Sequence, residues 1–129
     1  MTVALHLDTH VVVWLYAGEH DRLPPGLRAR MATEILRISP MVELELTYLH
    51  EIGRLTEPSA RILGELDRSI GVRLDDTPFA DVVATAGRMA WTRDPFDRMI
   101  AAQAVATAST LATRDETMRE HLPDTAVWD

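Results

Sequence analysis

The chain is built around residues 94–108, DPFDRMIAAQAVATA. Asp94 is a good N-cap and Pro95 a good first helical residue, so the stretch predicts a helix that starts there and runs through the alanines. At 100° per residue, one stripe of this helix carries a carboxylate followed by methyl groups: Asp97, Ala101, Ala104 and Ala108. We expect the helix to be central, and a carboxylate on a close-packed stripe needs a cation or a hydrogen-bond donor. The alternative is that Asp94 and Asp97 act only as N-cap and N3 residues.

Apolar runs that predict strands alternate along the chain with helical patterns. The expected strands are residues 3–7, 34–38, 72–74, 109–113 and 125–128, and the expected helices are 9–17, 26–32, 39–53, 60–70, 79–89, 94–108 and 114–121. This alternation is typical of a three-layer α/β fold with a central, mainly parallel sheet and helices on both faces. With 129 residues, 47% of them hydrophobic, the chain suits a single domain over residues 1–129.

Composition excludes several functions. All 13 basic residues are arginine, which excludes P-loop, protein-kinase and Schiff-base chemistry, since each needs a lysine at a particular place. A net charge of −7 argues against a general nucleic-acid coat protein, although a nucleic-acid substrate is compatible with it if the acids bind divalent cations. Cysteine is absent, so a metal would be held by oxygen or histidine. The apolar start has no basic leader, so we expect no signal peptide, no membrane span and a cytoplasmic protein.

Glu45 is an acid in an apolar setting. Ser39 and Pro40 are a good N-cap and first residue for a helix to Gly53, and Glu45 falls near the middle of its apolar arc, which contains Met41, Val42, Leu46, Leu49 and Ile52. A charge on a buried face costs several kcal/mol, roughly, if it is unpaired. Glu45 therefore needs a function or a structural partner such as an internal arginine. Glu43 and Arg54 fall on the opposite, solvent side.

Asp8 and Asp115 each follow a predicted strand, and open α/β sheets bind their ligands at the carboxyl ends of the strands. Each has a structural alternative. Asp8 could be an N-cap, and Asp115 could be a first-turn acid in a helix capped by Thr113 and Glu116. The single histidines His6 and His10 lie in apolar surroundings, where structural roles are favoured over ligation.

Together, Asp8, Glu45, Asp97 and Asp115 predict one carboxylate cluster. Four carboxylates aimed at one crevice repel strongly unless a hard cation lies between them, and Mg²⁺ or Mn²⁺ prefers such oxygen ligands. The chemistry that follows is metal-assisted hydrolysis of a phosphodiester, in which the metal activates a water and stabilises developing negative charge.

Four segments carry a family resemblance: residues 7–15 (LDTHVVVWL), 39–45 (SPMVELE), 93–104 (RDPFDRMIAAQA) and 111–115 (LATRD). In their order and spacing they resemble the motifs of PIN-domain proteins, and most of all the VapC-type toxins of bacterial toxin–antitoxin pairs. The resemblance implies a Rossmann-like PIN fold and a Mg²⁺- or Mn²⁺-dependent ribonuclease. It also implies a homodimer, RNA as substrate and inhibition by a cognate antitoxin.

The four acidic positions of that family fall on Asp8, Glu45, Asp97 and Asp115, and Asp94 is an additional candidate ligand. Two other classes of protein are alternatives. A phosphatase or receiver domain needs a lysine, and the haloacid-dehalogenase type of phosphatase also needs Asp-x-Asp where this chain has Asp8-Thr9-His10. A catalytically weak or inactive PIN-fold module that binds RNA or protein remains the alternative.

Overall fold

Five short strands form one parallel sheet in the computed structural model, which describes residues 2–129. The strands are β1 (Leu5–Leu7), β2 (Leu36–Ile38), β3 (Arg73–Leu74), β4 (Thr110–Ala112) and β5 (Ala126–Val127). Their order across the sheet is β3-β2-β1-β4-β5, so β1 lies at the centre with β2 on one side and β4 on the other. All four pairings are parallel, as the alternation of strands and helices predicts.

The helices connect these strands. They are α1 (Thr9–Tyr16), α2 (Pro25–Thr33), α3 (Pro40–Glu51), α4 (Ser59–Ile70), α5 (Phe79–Ala86), α6 (Pro95–Ala106) and α7 (Glu116–His121), with a short 3₁₀ turn at His20–Arg22. The α/β fold class predicted from the sequence is confirmed. No helix within residues 2–129 is long and apolar enough to cross a membrane.

The backbone continues the sheet ladder one residue past β1 and β4. The Asp8 N–H donates to the Ala112 carbonyl at 3.0 Å, and the Thr113 N–H donates to the Val127 carbonyl at 3.1 Å. These bonds bring the residues that follow the two strands to one edge of the sheet, although Asp8 and Thr113 are 105 positions apart in the chain. The edge is thus set by strand pairing.

Helix α6 is as central as its sequence predicts. Residues 100–104 are all buried, and the helix packs against α5, α3 and β4. It ends at Ala106, however, and Ala108 is exposed with a left-handed φ of 53°. Ala108 therefore does not extend the stripe of small residues. The Thr107 hydroxyl donates to the carbonyls of Gln103 and Ala104, which is the kind of local bond that competes with further helix.

Two other expectations need correction. Helix α5 ends at Ala86 and not at Met89, because Gly87 and Arg88 form a turn. Ile52, expected on the buried arc of α3, is 49% exposed, because the helix ends at Glu51 and residues 52 and 53 form a turn.

Candidate functional site

A cleft of about 350 Å³ opens at the carboxyl ends of β1 and β4. Four carboxylates line it, those of Asp8, Glu45, Asp97 and Asp115. The other lining residues are Thr9, His10, Val13, Trp14, Leu49, Arg54 and Leu55. The structure therefore brings together four acids from four separate segments of the chain.

Asp8 is held at both of its carboxylate oxygens. It is the N-cap of α1, where Oδ1 accepts from the Thr9 N–H at 2.8 Å, and Oδ2 accepts from the Thr113 hydroxyl at 2.6 Å. The residue is only 5% exposed. The N-cap role and a place in the cleft are thus compatible, because each carboxylate oxygen can accept a further bond or a cation.

Asp115 is fixed in the same way from the other strand. It is the N-cap of α7, its Oδ1 accepts from the Met118 N–H at 2.9 Å, and its own N–H donates to the Thr113 hydroxyl oxygen at 3.0 Å. The expected capping pair of Thr113 and Glu116 is wrong. Thr113 instead bonds Asp8, whose charged oxygen is a stronger acceptor than a neutral group. One threonine hydroxyl therefore links the acids that follow β1 and β4.

Glu45 enters the cleft from α3, whereas Glu43 is exposed. Its carboxylate accepts a hydrogen bond from the Thr9 hydroxyl and has no ion pair with an arginine of residues 2–129. Burial raises the pKa of Glu45, the Thr9 bond opposes that rise, and the charge of Asp8 adds to it. An internal arginine as the structural partner of Glu45, the alternative to a function, is therefore not found within residues 2–129.

Asp97 is the acid of the cleft whose negative charge is most disfavoured by its surroundings. Its backbone N–H is capped by Asp94, but its carboxylate accepts no hydrogen bond from the part of the chain that the structure describes. Burial raises the pKa of Asp97 to about 7, with further contributions from the carboxylates of Asp94, Asp8, Asp115 and Glu45. Asp94 itself is exposed, caps α6 with its Oδ1 at 3.0 Å from the Asp97 nitrogen, and lies outside the lining of the cleft.

The four carboxylates share the cleft but do not meet at a point. Within residues 2–129, no three acidic or histidine side chains are close enough together to hold one ion as direct ligands. Like charges at these positions repel one another, which favours such spreading. Oxygen donors of this kind could hold a hard divalent cation that keeps part of its own water shell, since Mg²⁺ is commonly bound through only one or two carboxylates.

His10 lines the cleft, a position that its apolar sequence context did not indicate. Its Nε2 accepts from the Arg114 N–H at 3.0 Å, and its Nδ1 lies 3.6 Å from Asp8 Oδ2. Burial lowers the pKa of His10, and the charges of Asp8 and Asp115 oppose this without reversing it. A neutral ring that accepts at Nε2 carries its proton on Nδ1, towards Asp8.

Arg54 also lines the cleft, although the helical wheel placed it on the solvent side. The wheel fails here because α3 ends at Glu51, and Gly53, with φ of 82°, turns the chain back. The motif of a helix followed by a glycine was visible in the sequence, but the direction of the chain after it was not. The place of Arg54 in the cleft was therefore not predicted. The bonds of the Thr9 and Thr113 hydroxyls to Glu45 and Asp8 were not predicted either, because they join distant parts of the chain.

Comparison with known proteins adds three solved structures of similar fold. The first is VapBC2 from Rickettsia felis bound to a DNA fragment from their promoter, with a TM-score of 0.73, 21% identity, and coverage of 97% of this chain and 98% of that one. The second is DNA-bound VapBC from Salmonella typhimurium, with a TM-score of 0.63, 21% identity, and coverage of 97% and 96%. The third is VapBC-1 from nontypeable Haemophilus influenzae, with a TM-score of 0.58, 19% identity, and coverage of 95% and 94%.

No curated protein sequence matches the chain significantly. At the level of families, the match is extensive: the model of the PIN domain covers residues 5–121, from β1 to the end of α7. This range includes all four acids of the cleft. The chain belongs to the PIN domain family.

Proposed function

We propose that the protein is a VapC-type, Mg²⁺- or Mn²⁺-dependent endoribonuclease. The observation that carries the proposal is the cleft lined by Asp8, Glu45, Asp97 and Asp115, none of which is neutralised by an arginine of residues 2–129. Unneutralised acids in one cleft suit a cation-dependent reaction on a polyanion better than they suit direct binding of that polyanion. The fold likeness to VapBC structures supports the toxin assignment.

Asp8, Glu45, Asp97 and Asp115 would hold the metal in this proposal. A bound Mg²⁺ or Mn²⁺ supplies a water of lowered pKa and stabilises negative charge on the phosphate. The chain prepares the cleft for this role. Thr9 and Thr113 keep the Glu45 and Asp8 carboxylates in place through their hydroxyls, and the raised pKa of Asp97 means that its proton must leave before a cation can bind.

The proposed partner is an antitoxin, because the similar solved structures are VapBC complexes. A homodimer is proposed on the family resemblance alone. An arginine from the antitoxin could pair with the acids and displace the metal. Expression of the protein alone in a bacterium should arrest growth, and an Asp97→Asn form should not. Equal growth of both, with abundant soluble wild type, argues against a toxin.

The direct test is RNA cleavage by the purified protein with Mg²⁺, with Mn²⁺ and with EDTA. We expect cleavage with either metal and none with EDTA. Glu45→Gln should abolish cleavage, while the matched change Glu43→Gln, on the exposed side of the same helix, should leave it intact. A folded protein that binds RNA but leaves it uncut with both metals would instead be the non-catalytic binding module.

A further inference from the structure

Three aromatic rings lie together beside the acidic cleft, and we name them the aromatic shelf: His10, Trp14 and Trp128. The ring centroids of His10 and Trp14 are 5.0 Å apart, those of His10 and Trp128 are 6.0 Å apart, and those of the two tryptophans are 5.9 Å apart. The planes are inclined to one another by 55–68°. Inclined rings contact through edges, so they do not cover one another's flat faces as stacked rings do.

Two guanidinium groups lie over the Trp14 ring. The Arg22 group is 5.2 Å from the ring centroid and the Arg114 group is 6.0 Å from it. Arg22 also pairs with Glu19 at 2.7 Å, whereas Arg114 has no carboxylate partner within residues 2–129. Both arginines are exposed, so a planar ligand could replace either one over the ring at a cost of about 0.5–1 kcal/mol.

The shelf is continuous with the cleft. A second hollow is lined by His10, Trp14, Arg114 and Asp115, and all of these but Arg114 also line the acidic cleft. The backbone of Arg114 is held next to the cleft, because its N–H donates to His10 Nε2 at 3.0 Å. An aromatic face and an unpaired arginine thus lie directly beside the carboxylates.

We propose that the aromatic shelf binds an unpaired base of the RNA next to the phosphate held in the cleft, with Arg114 contacting the adjoining phosphate. This inference rests on the proposed ribonuclease function and adds to it a base-binding subsite made of this chain's own aromatic residues. A base in a duplex has both faces stacked on its neighbours, whereas an unpaired base can stack on an aromatic side chain. A protein with a net charge of −7 gains little from general attraction to phosphates, so stacking of bases would add affinity that its overall charge does not supply.

Trp91 provides a matched control within the same chain. Its ring lies parallel to that of His121, with an interplanar angle of 5° and centroids 5.2 Å apart. One face of Trp91 is therefore already covered by a ring of the protein, and Trp91 lines neither hollow beside the acids. A change at Trp91 removes an indole of the same size without touching the shelf.

The experiment measures binding of short oligo(A), oligo(U) and their annealed duplex to an Asp97→Asn protein in Mn²⁺, which is used so that the strands stay intact. A Trp91→Phe change in this background leaves Trp14 and Trp128 as the only tryptophan emitters. We expect single strands to quench that emission. Trp14→Leu should weaken single-strand binding by about fivefold or more, Arg114→Gln should weaken it to a smaller extent, and Trp91→Phe should not change it.

Circular dichroism and thermal melts show whether Trp14→Leu folds, and the exposed Arg114→Gln change tests the shelf without touching the core. Single-strand affinity that is unchanged in both variants overturns the inference, and so does an equal loss for strands and duplex. In either case the aromatic shelf does not hold an unpaired base. Wild type that cleaves RNA although Trp14 and Arg114 do not affect binding leaves the proposed function standing. If the wild type binds single strands through the shelf but never cleaves them, the ribonuclease function is contradicted and the base-binding site is supported.

Discussion

At the scale of single residues, Asp97 sets the pH dependence of the cleft. Its pKa of about 7 lies above the usual value of an aspartate, so between those values the folded protein binds a proton that the unfolded chain does not. In EDTA this contribution to stability is present at low pH and is lost as the pH rises through 7. Asp97→Asn cannot ionise, and we expect it to be at least as stable as wild type at pH 8 in EDTA.

Thermal melts with Mn²⁺ complete this prediction. A metal that binds only the folded state raises the melting temperature, and Asp97→Asn should lose much of that rise. Asp81→Asn is the control, because Asp81 is likewise an acid in the first turn of a helix but is exposed and lies outside the cleft lining. If Asp97→Asn were less stable in EDTA yet gained as much from Mn²⁺ as wild type, Asp97 would be a structural helix residue only.

His6 produces the opposite response to pH. It is 1% exposed in the centre of the sheet, its Nδ1 has no partner within residues 2–129, and burial lowers its pKa to about 4. Between pH 6.5 and 4 the unfolded chain protonates first, so stability falls as the pH falls, by about 3 kcal/mol in total. Measured in an Asp97→Asn background, His6→Leu should remove most of this loss, and exposed His20→Leu should not.

Urea melts at several pH values between 4 and 7 provide the measurement. The Asp97→Asn background is needed because, as the pH falls from 7 to 4, protonation of Asp97 stabilises the folded protein while protonation of His6 in the unfolded chain destabilises it. If the slope of stability against pH were the same with and without His6, a different buried group would be responsible for the acid sensitivity.

At the scale of elements, the buried small residues of α6 should limit the size of side chain that the helix can accept. Ala104 is fully buried on its stripe of small residues, so Ala104→Leu should overpack the core and cost about 1–3 kcal/mol. Ala84→Leu, on the exposed side of α5, is the matched control and should change the free energy of unfolding little. Urea denaturation measures both. An Ala104→Leu protein as stable as wild type would mean that α6 can move away from its neighbours.

The elements themselves could be predicted from sequence because their signals are local. Asp94-Pro95 starts α6 and Ser39-Pro40 starts α3, in each case through a cap and a preset φ. The place of Glu45 in the cleft could be predicted because an acid among the apolar residues of one helix face is visible within a single segment. Thr113 and His10 were missed because their roles depend on partners about 105 positions away, across the β1–β4 pairing. The hydrophobic pattern of a single segment cannot predict a hydrogen bond to a residue so far away in the chain.

At the scale of the whole molecule, a net charge of −7 limits how RNA can be held. Of the arginines at the proposed binding surface, Arg22 is already paired with Glu19, which leaves Arg54 in the cleft and Arg114 at the shelf to contact phosphates. Two phosphate contacts predict a slope of about −1.4 for log K against log salt with a single strand, and Arg114→Gln should reduce its size by about 0.7. Titrations of oligo(A) at several NaCl concentrations and constant Mn²⁺ measure it. A slope near −4 would require about six contacts and contradict this view.

The β1–β4 pairing also sets a time order. β1 is made first, but the hydrogen bond that fixes Asp8 comes from Thr113, 105 residues later. At about 5–20 residues per second, that interval lasts roughly 5–20 s during synthesis. Until β4 and Asp115 are made, Asp8 has neither its Thr113 hydrogen bond nor a facing carboxylate, so the cleft cannot be complete before residue 115. In the proposed function, a nuclease assembled in this order is inactive until residue 115 has been made, which spares the message from which it is being made during that interval.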